Sequence, residues 1–295
     1  MNNLICPYTG LQISDIESSR EHIVPDALGG PNGFSLRADS KMNSYYGGTI
    51  DSRLVHDALL KFKAVEHGVS TRNGAATFRV RGQAVVDGSP VDAEMTHAGI
   101  RLKSRIPVVK DQSDPRKLVI RGFAGDAERQ LKRVVADAKR KGLKLVTEGP
   151  FAQDSTFRAR VTHTPMEVVQ GLGKIAYLMT VRTLGDAFVS TQGAAQYRKW
   201  LRSEPTHESL SESGLAASWP TPFGSEFNTL PEHFHILTCL VVDGKVATFV
   251  RLFNDDKLSF SAHVDLPSSG SWASQMKFVT IDSVAKTFED VWGEA

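Results

Sequence analysis

The chain has 295 residues, of which 41% are hydrophobic and 23% charged, and its formal net charge at pH 7 is +2. This length allows one large domain or two ordinary ones, and the composition excludes a disordered or fibrous chain. The longest apolar runs, such as 236–242, are too short to cross a bilayer, and the N-terminus lacks the features of a secretory signal. We therefore expect a cytoplasmic protein with no membrane partner, whose two cysteines, Cys6 and Cys239, are free thiols.

The first 50 residues contain many turn formers, including Pro25, Gly29 and Gly30. So many helix and strand breakers predict a small, loop-rich module. Beyond it, Asp51 is a candidate N-cap for a helix whose apolar residues recur at helical spacing as far as Phe62. We place the end of the module at residue 65 and assign residues 66–295 to a larger mixed domain. The sequence leaves the role of this domain open, with target recognition and oligomerisation as alternatives.

Extended and helical patterns follow one another through the middle of the chain. Turn residues separate short extended runs, which predict β-strands at 76–80, 84–86, 91–95 and 118–123. Residues 126–141 predict a helix that ends before Gly142, and the stretch 129–144 has a local excess of Lys and Arg.

The clearest helix begins at Thr164, where residues 164–167 have the pattern of a capping box and Pro165 takes the first helical position. This helix is apolar nearly all round as far as residue 184, so we expect it to be a central core element. A shorter helix is expected at 193–202 and a long loop at 203–232. The last elements are a three-stranded meander, with strands at 235–242, 246–253 and 258–264, and a closing helix at 283–292.

Glu21, His22 and Asn43 offer the groups that phosphodiester hydrolysis needs: oxygen ligands for a cation and a base that activates water. Glu21 and Asn43 carry the hard oxygen ligands that Mg²⁺ or Mn²⁺ prefers, and the ordinary pKa of histidine suits His22 to the role of base. Neighbouring strand residues point to opposite faces, so the chain has to twist or end here for both side chains to reach one site.

This segment resembles the HNH, or ββα-metal, endonuclease family, in its branch with the pattern Glu-His-Ile-x-Pro-x-x-Leu-Gly-Gly. The resemblance covers about the first 65 residues. The residues that carry it are Glu21-His22-Ile23-Val24-Pro25, Leu28-Gly29-Gly30, Asn43, Gly47 and Ile50-Asp51.

The resemblance implies that Glu21 and Asn43 are the protein ligands of one Mg²⁺ or Mn²⁺ and that His22 is the general base. It also implies a catalytic role for Asn32, which would orient the histidine or the phosphate. The implied fold class is α+β: a small N-terminal ββα-metal nuclease module joined to a larger mixed domain with antiparallel strands and a central buried helix.

Many relatives carry two Cys-x-x-Cys pairs that bind a structural zinc, whereas here the two positions read Cys-Pro-Tyr-Thr (6–9) and Asp-Ser-Lys-Met (39–42). A closed zinc site needs four ligands, and only Cys6 remains, so we expect no structural zinc. Packing is then expected to hold the module, through the side chains of Leu4, Ile5, Tyr8, Leu11, Met42 and Tyr45.

Basic side chains near the proposed ligands and on the 126–141 helix are candidates for nucleic-acid contact. They are Arg20, Lys41, Arg133, Lys139 and Arg140. A basic helix face is also a common solvated surface, and for the helix that alternative stays open.

His233 and His235 alternate along one predicted strand in the manner of a metal pair. Two of four ligands make a poor metal site, which favours a structural role for both histidines.

The implied activity is divalent-metal-dependent hydrolysis of DNA, with RNA as an open alternative and restriction or anti-phage defence as the setting by analogy. Double-strand cleavage would call for a homodimer. Two other functions stay open. One is a catalytically degenerate relative that binds nucleic acid, and the other is a nuclease subunit active only within a multi-protein defence complex.

Overall fold

The computed structural model describes residues 3–72, 74–85, 88, 90–105, 108–110, 118–120, 124–141, 156–221, 229–268 and 272–293. Its fold is α+β, as the sequence predicts, and the strand pairings within these residues are antiparallel. No helix in the described part of the chain combines the length and hydropathy needed to cross a membrane.

The helices are α1 (Ser40–Tyr46), α2 (Ser52–His56), α3 (Ala58–Glu66), α4 (Ala124–Arg140), α5 (Pro165–Leu184), α6 (Asp186–Val189), α7 (Gln192–Leu201) and α8 (His207–Glu212). The strands are β1 (Ser18–His22), β2 (Ser35–Asp39), β3 (Ser70–Thr71), β4 (Gly74–Ala75), β5 (Phe78–Ala84), β6 (Pro90–Thr96), β7 (Gly99–Ser104), β8 (Val108–Lys110), β9 (Leu118–Ile120), β10 (Phe157–Ala159), β11 (Ala216–Ser218), β12 (Phe234–Val242), β13 (Lys245–Arg251), β14 (Ser259–Asp265), β15 (Gln275–Asp282) and β16 (Thr287–Gly293).

The chain forms two compact units. Unit 1 combines Met1–Ala76 with His163–Ala295, and unit 2 is Thr77–Thr162. The boundary expected at residue 65 falls inside unit 1, because the N-terminal segment shares one hydrophobic core with α5 and the C-terminal sheet. The N-terminal module is therefore one part of a larger unit.

The N-terminal segment is built on an antiparallel hairpin of β1 and β2, and α1 follows β2 directly. Asp39 begins the helix, and its side chain accepts the Met42 N–H at 2.9 Å, as an N-cap does. One π-helical turn, Gly47–Asp51, leads into α2. The cap predicted at Asp51 is wrong, since its backbone is helical and its carboxylate makes no cap hydrogen bond.

In unit 1, α5 is the central element, and every residue from Val168 to Thr183 is buried. It contacts α2, α7 and strands β12 to β14, so the predicted core helix is confirmed. The capping box predicted at its start is wrong, because the Thr164 side chain makes no cap hydrogen bond. The backbone N–H of Thr164 donates instead to Oδ2 of Asp57 at 3.3 Å.

Within the described residues, the largest sheet of unit 1 has six strands in the order β11–β14–β13–β12–β15–β16. The predicted meander is confirmed as β12 to β14, whereas the loop predicted at 203–232 contains α8 and β11. The predicted closing helix is also wrong, since β16 forms a hairpin with β15. Asp282 accepts the N–H groups of Val284 and Ala285 at 2.9 Å, and Lys286 takes a φ of 55°. A residue with that φ ends any right-handed helix.

Unit 2 contains the four-stranded sheet β10–β5–β6–β7, the hairpin β8–β9 and α4. The helix predicted over 126–141 is confirmed as α4, and the runs at 76–80 and 91–95 overlap β5 and β6. The first half of the strand predicted at 118–123 is β9, and residues 121–123 lie outside the described residues. Of the run predicted at 84–86, residue 84 belongs to β5 and residue 86 lies outside the described residues.

Gly173 of α5 lies against Trp200 of α7, and a Cβ at this position would overlap the indole ring. Trp200 is fully buried and stacks on Phe260, so it has little room to move. We expect Gly173→Ala to lower the free energy of unfolding by about 1–3 kcal/mol, because overpacking strains the core. Urea denaturation measures this loss.

The matched control is Gly48→Ala, since a Cβ at Gly48 meets nothing within 4 Å. It should leave the free energy of unfolding unchanged or raise it by up to about 1 kcal/mol. If Gly173→Ala were as stable as the wild type, the close packing of α5 on α7 would be contradicted.

Candidate active site on the N-terminal hairpin

The register of β1 on β2 sorts the predicted site residues onto two faces. Arg20 lies opposite Arg37, and His22 lies opposite Ser35, so these four side chains share one face of the hairpin. Glu21 lies opposite Leu36 and points to the other face, which is buried. Glu21 and His22 are therefore not brought into one site.

Glu21 lies within a buried ionic network. Its side chain is 2% exposed, and Oε1 accepts the Tyr8 hydroxyl at 2.7 Å and lies 2.5 Å from Nζ of Lys174. The same ammonium group bonds both carboxylate oxygens of Asp51, at 2.7 and 2.6 Å. Burial alone would lower the pKa of Lys174, but the carboxylates of Asp51 and Glu21 outweigh it and raise that pKa. Lys174 is therefore a cation that both carboxylates share.

Asn43 fastens α1 to β1. Its amide nitrogen donates to Ser19 Oγ at 2.8 Å and to the Arg20 carbonyl at 2.9 Å. Both bonds are made to β1, the strand that carries Glu21, which explains why an asparagine suits this position on the helix.

The predicted metal ligands do not fit a divalent cation as they are arranged. An ammonium group already neutralises Glu21, and a second cation beside it would face direct repulsion. The described residues hold no group of three or more His, Cys, Asp or Glu side chains placed to bind a metal ion. As arranged, Glu21 and Asn43 therefore do not form a site for Mg²⁺ or Mn²⁺.

His22 and Asn32 are brought together, as the predicted orienting role of Asn32 requires. Nε2 of His22 lies 3.1 Å from Oδ1 of Asn32, at the solvent-facing end of the hairpin. An amide oxygen can only accept, so Nε2 carries the proton in the neutral imidazole and Nδ1 keeps a lone pair. That arrangement leaves His22 able to take up a proton at Nδ1.

The turn between His22 and Phe34 is fixed by close backbone packing and by a hydrogen bond to the six-stranded sheet. A Cβ at Gly30 would overlap the Val24 carbonyl, and Gly29 has a φ of 90°. His235 of the six-stranded sheet donates from Nε2 to the Leu28 carbonyl at 2.7 Å, and its Nδ1 accepts the Phe253 N–H at 2.9 Å. His235 is therefore structural, as the sequence favours, and burial lowers its pKa to about 4.

The predicted nucleic-acid contacts are divided between the two units. In unit 1, Arg20 and Lys41 are exposed, on β1 and α1 respectively. In unit 2, Arg133 lines a concave groove, whereas Lys139 and Arg140 lie outside it, and Arg140 pairs with Asp137.

Two residues of the site, Arg37 and Lys174, were not predicted from the sequence. Arg37 is exposed beside Arg20, and its Nη2 atom donates to Ser18. Only the pairing register brings Arg37 to this face. Lys174 could have been predicted, because a lysine in the middle of an otherwise apolar, buried helix needs a carboxylate partner.

The segment at which relatives of the resembled family bind zinc is packed here around Cys6 and aromatic rings. Both cysteines are free and buried, as predicted, and Sγ of Cys6 accepts the Asp39 N–H at 3.2 Å. The rings of Tyr8 and Tyr46 lie 4.4 Å apart. Half of the packing set was predicted wrongly, because three of its members are at least half exposed: Leu4, Leu11 and Tyr45.

Comparisons with models of known protein families, with curated proteins and with solved structures returned no match.

Breaking the buried ion pair should destabilise unit 1. Lys174→Met leaves Glu21 and Asp51 without their cation, so we expect the free energy of unfolding to fall by about 3–5 kcal/mol. Glu21→Gln should also destabilise, and the double variant should lose less than the sum of the two single losses. Chemical denaturation of all three variants measures this coupling.

The control is Glu167→Gln, which breaks the more exposed pair with Arg53 at 3.6 Å. It should cost at most about 1 kcal/mol. Strictly additive losses at Glu21 and Lys174 would show that the two side chains do not interact.

Acid should weaken unit 1 through His235. Its pKa is lowered from 6.5 to about 4 in the folded protein, so between these values only the unfolded chain takes up the proton. Stability should therefore fall as the pH drops from 6.5 towards 4, by about 3 kcal/mol for the full shift. Melting temperatures across this range measure the effect.

His235→Phe should be less stable than the wild type, because it loses both hydrogen bonds, but its melting temperature should depend less on pH. His207→Phe, at an exposed position on α8, is the control and should keep the wild-type pH dependence. Identical pH profiles for His235→Phe and wild type would remove His235 as the source.

Proposed function

We propose that this protein hydrolyses phosphodiester bonds of DNA, with His22 as the general base. The observation that carries the proposal is the His22–Asn32 hydrogen bond on the exposed face of the hairpin, which leaves Nδ1 with its lone pair. The order of β1, β2 and α1, with Asn43 on the helix, supports it because it agrees with the resemblance to ββα-metal nucleases.

In this mechanism a water molecule attacks phosphorus while Nδ1 of His22 takes its proton. Arg20 and Arg37, on the same face, contact the phosphate and offset its developing charge. The bond from phosphorus to the departing oxygen breaks, and that oxygen takes a proton from solvent. Asn32 keeps the imidazole in the tautomer that this transfer needs.

A catalytically inactive protein that binds nucleic acid is the second candidate. The pairing of Glu21 with Lys174 favours it, because the family's metal ligand is neutralised by the protein itself. A cleavage assay with plasmid DNA distinguishes the two, run with Mg²⁺, with Mn²⁺ and with a chelator. Cleavage supports the first candidate, and DNA binding without cleavage under all three conditions supports the second.

His22→Ala should lower the cleavage rate by ~10²–10⁴-fold, the usual cost of losing a general base, while DNA binding and melting temperature stay close to wild type. Asn32→Ala should give a smaller loss, since it removes only the residue that orients the ring. Single-turnover cleavage and fluorescence anisotropy provide the two readouts.

His56→Ala is the control, because His56 is exposed on α2 and its Nδ1 bonds to the Ser52 carbonyl of the same helix. It should cleave at the wild-type rate. If His22→Ala did so as well, His22 would not be the base.

A further inference from the structure

We propose that unit 2 binds the phosphodiester backbone of a nucleic acid in a cationic groove of about 700 Å³. The groove is lined by cations from three elements: Arg79 and Arg81 of β5, Arg101 and Lys103 of β7, and Arg129 and Arg133 of α4. The inference rests on the proposed function only for the identity of the polyanion, since the groove is defined by charge and shape.

Strand pairing explains why the sheet cations converge. Residues directly opposite each other in neighbouring strands project from the same face of a sheet. Each of two adjacent rows therefore holds a cation from β5, an acid from β6 and a cation from β7. The rows are Arg79–Glu94–Arg101 and Arg81–Asp92–Lys103.

The acids of β6 position the arginines without cancelling the charge. Oε1 of Glu94 accepts bonds from Nε and Nη2 of Arg79 at 2.9 and 2.7 Å. Asp92 lies within 4.0 Å of Arg81. Among the described residues that line the groove there are six cations and two carboxylates, so this lining is more positive than the whole chain, whose net charge is only +2. A concave surface concentrates that field and attracts anions.

The chemistry of the lining selects a repeated phosphate over other ligands. Arginine guanidinium groups present forked donors that match phosphate oxygens. Cations two residues apart on a strand lie about 6.6 Å apart, so the groove offers a series of charges instead of one anion pocket. The groove residues that the structure describes include no aromatic side chain, so they offer bases no ring to stack on. Binding should therefore follow the backbone and be independent of base sequence.

The groove also separates the cations of α4 into two classes. Arg129 and Arg133 are one helical turn apart and share a face that lines it, whereas Lys139 and Arg140 lie outside. Lys139 and Arg140 thus provide a control that removes as much charge from unit 2 as a change at Arg101 and Lys103.

The test measures binding of a short fluorescent DNA duplex by anisotropy over a range of salt concentrations. All proteins carry His22→Ala, so that the DNA stays intact. Arg101→Ala/Lys103→Ala should raise Kd at least about tenfold and reduce the salt dependence of log Kd by about two units, as expected for two lost phosphate contacts. Lys139→Ala/Arg140→Ala should keep Kd within about twofold of the parent, since both side chains lie outside the groove. Circular dichroism and melting temperatures confirm that both variants fold.

An unchanged Kd in the Arg101→Ala/Lys103→Ala variant, or equal weakening of binding in both variants, would contradict the proposal that DNA binds in the groove.

Unlabelled RNA and inorganic polyphosphate serve as competitors that distinguish the source of the phosphates. Stronger competition by RNA than by DNA keeps the groove and makes RNA its ligand, whereas equal competition by polyphosphate overturns the assignment to nucleic acid. If DNA binding depends on Arg101 and Lys103 but the wild type does not cleave DNA, the proposed hydrolysis is contradicted and the groove stands.

If the wild type cleaves DNA but Kd does not depend on Arg101 and Lys103, the groove is contradicted and the proposed hydrolysis stands.

Discussion

The ammonium group of Lys174, in the middle of α5, lies between the carboxylates of Glu21 and Asp51. All the surrounding helix positions are buried, so neither the lysine nor Glu21 can find water without unfolding unit 1. A buried ion pair adds little stability over an apolar pair of the same shape, but loss of one partner leaves an unpaired charge in the core and lowers the stability strongly. The network therefore links α5 to β1 through Glu21 and to the π-helical turn through Asp51, so loss of one partner would be felt by all three elements.

The hairpin divides its residues between two tasks because its register is regular as far as His22. The buried face carries Glu21, which serves the ionic network, and the exposed face carries Arg20, His22 and Arg37, which meet solvent. The turn that follows is held from the other end of the chain, through the bond from His235 to the Leu28 carbonyl. The chemistry that we propose thus lies on the outer face of a hairpin whose inner face and turn are both fixed by distant residues.

The two units use charge in opposite ways. In unit 1 the most buried charges are paired inside the core, where desolvation makes an unpaired charge costly. Among the described residues of unit 2, arginines and lysines are exposed to solvent along one sheet face and one helix. Alternation within β5 makes this distribution possible, because every second residue projects outward without disturbing the half-buried residues between.

The α+β class, the central helix and the meander could be predicted from the sequence, because each follows from a local period that the chain carries with it. The pairing of His22 with Asn32 was expected only from the family resemblance. The sequence-based prediction misplaced the closing segment, which is a strand because a turn at Lys286 returns the chain to β15, and local periodicity does not record such a partner. It also assigned Glu21 to a metal ion, because the lysine that neutralises its carboxylate comes from a helix far along the chain. Which charges pair depends on the tertiary structure, because ion pairs and strand registers are set by distances between segments that are far apart in the sequence.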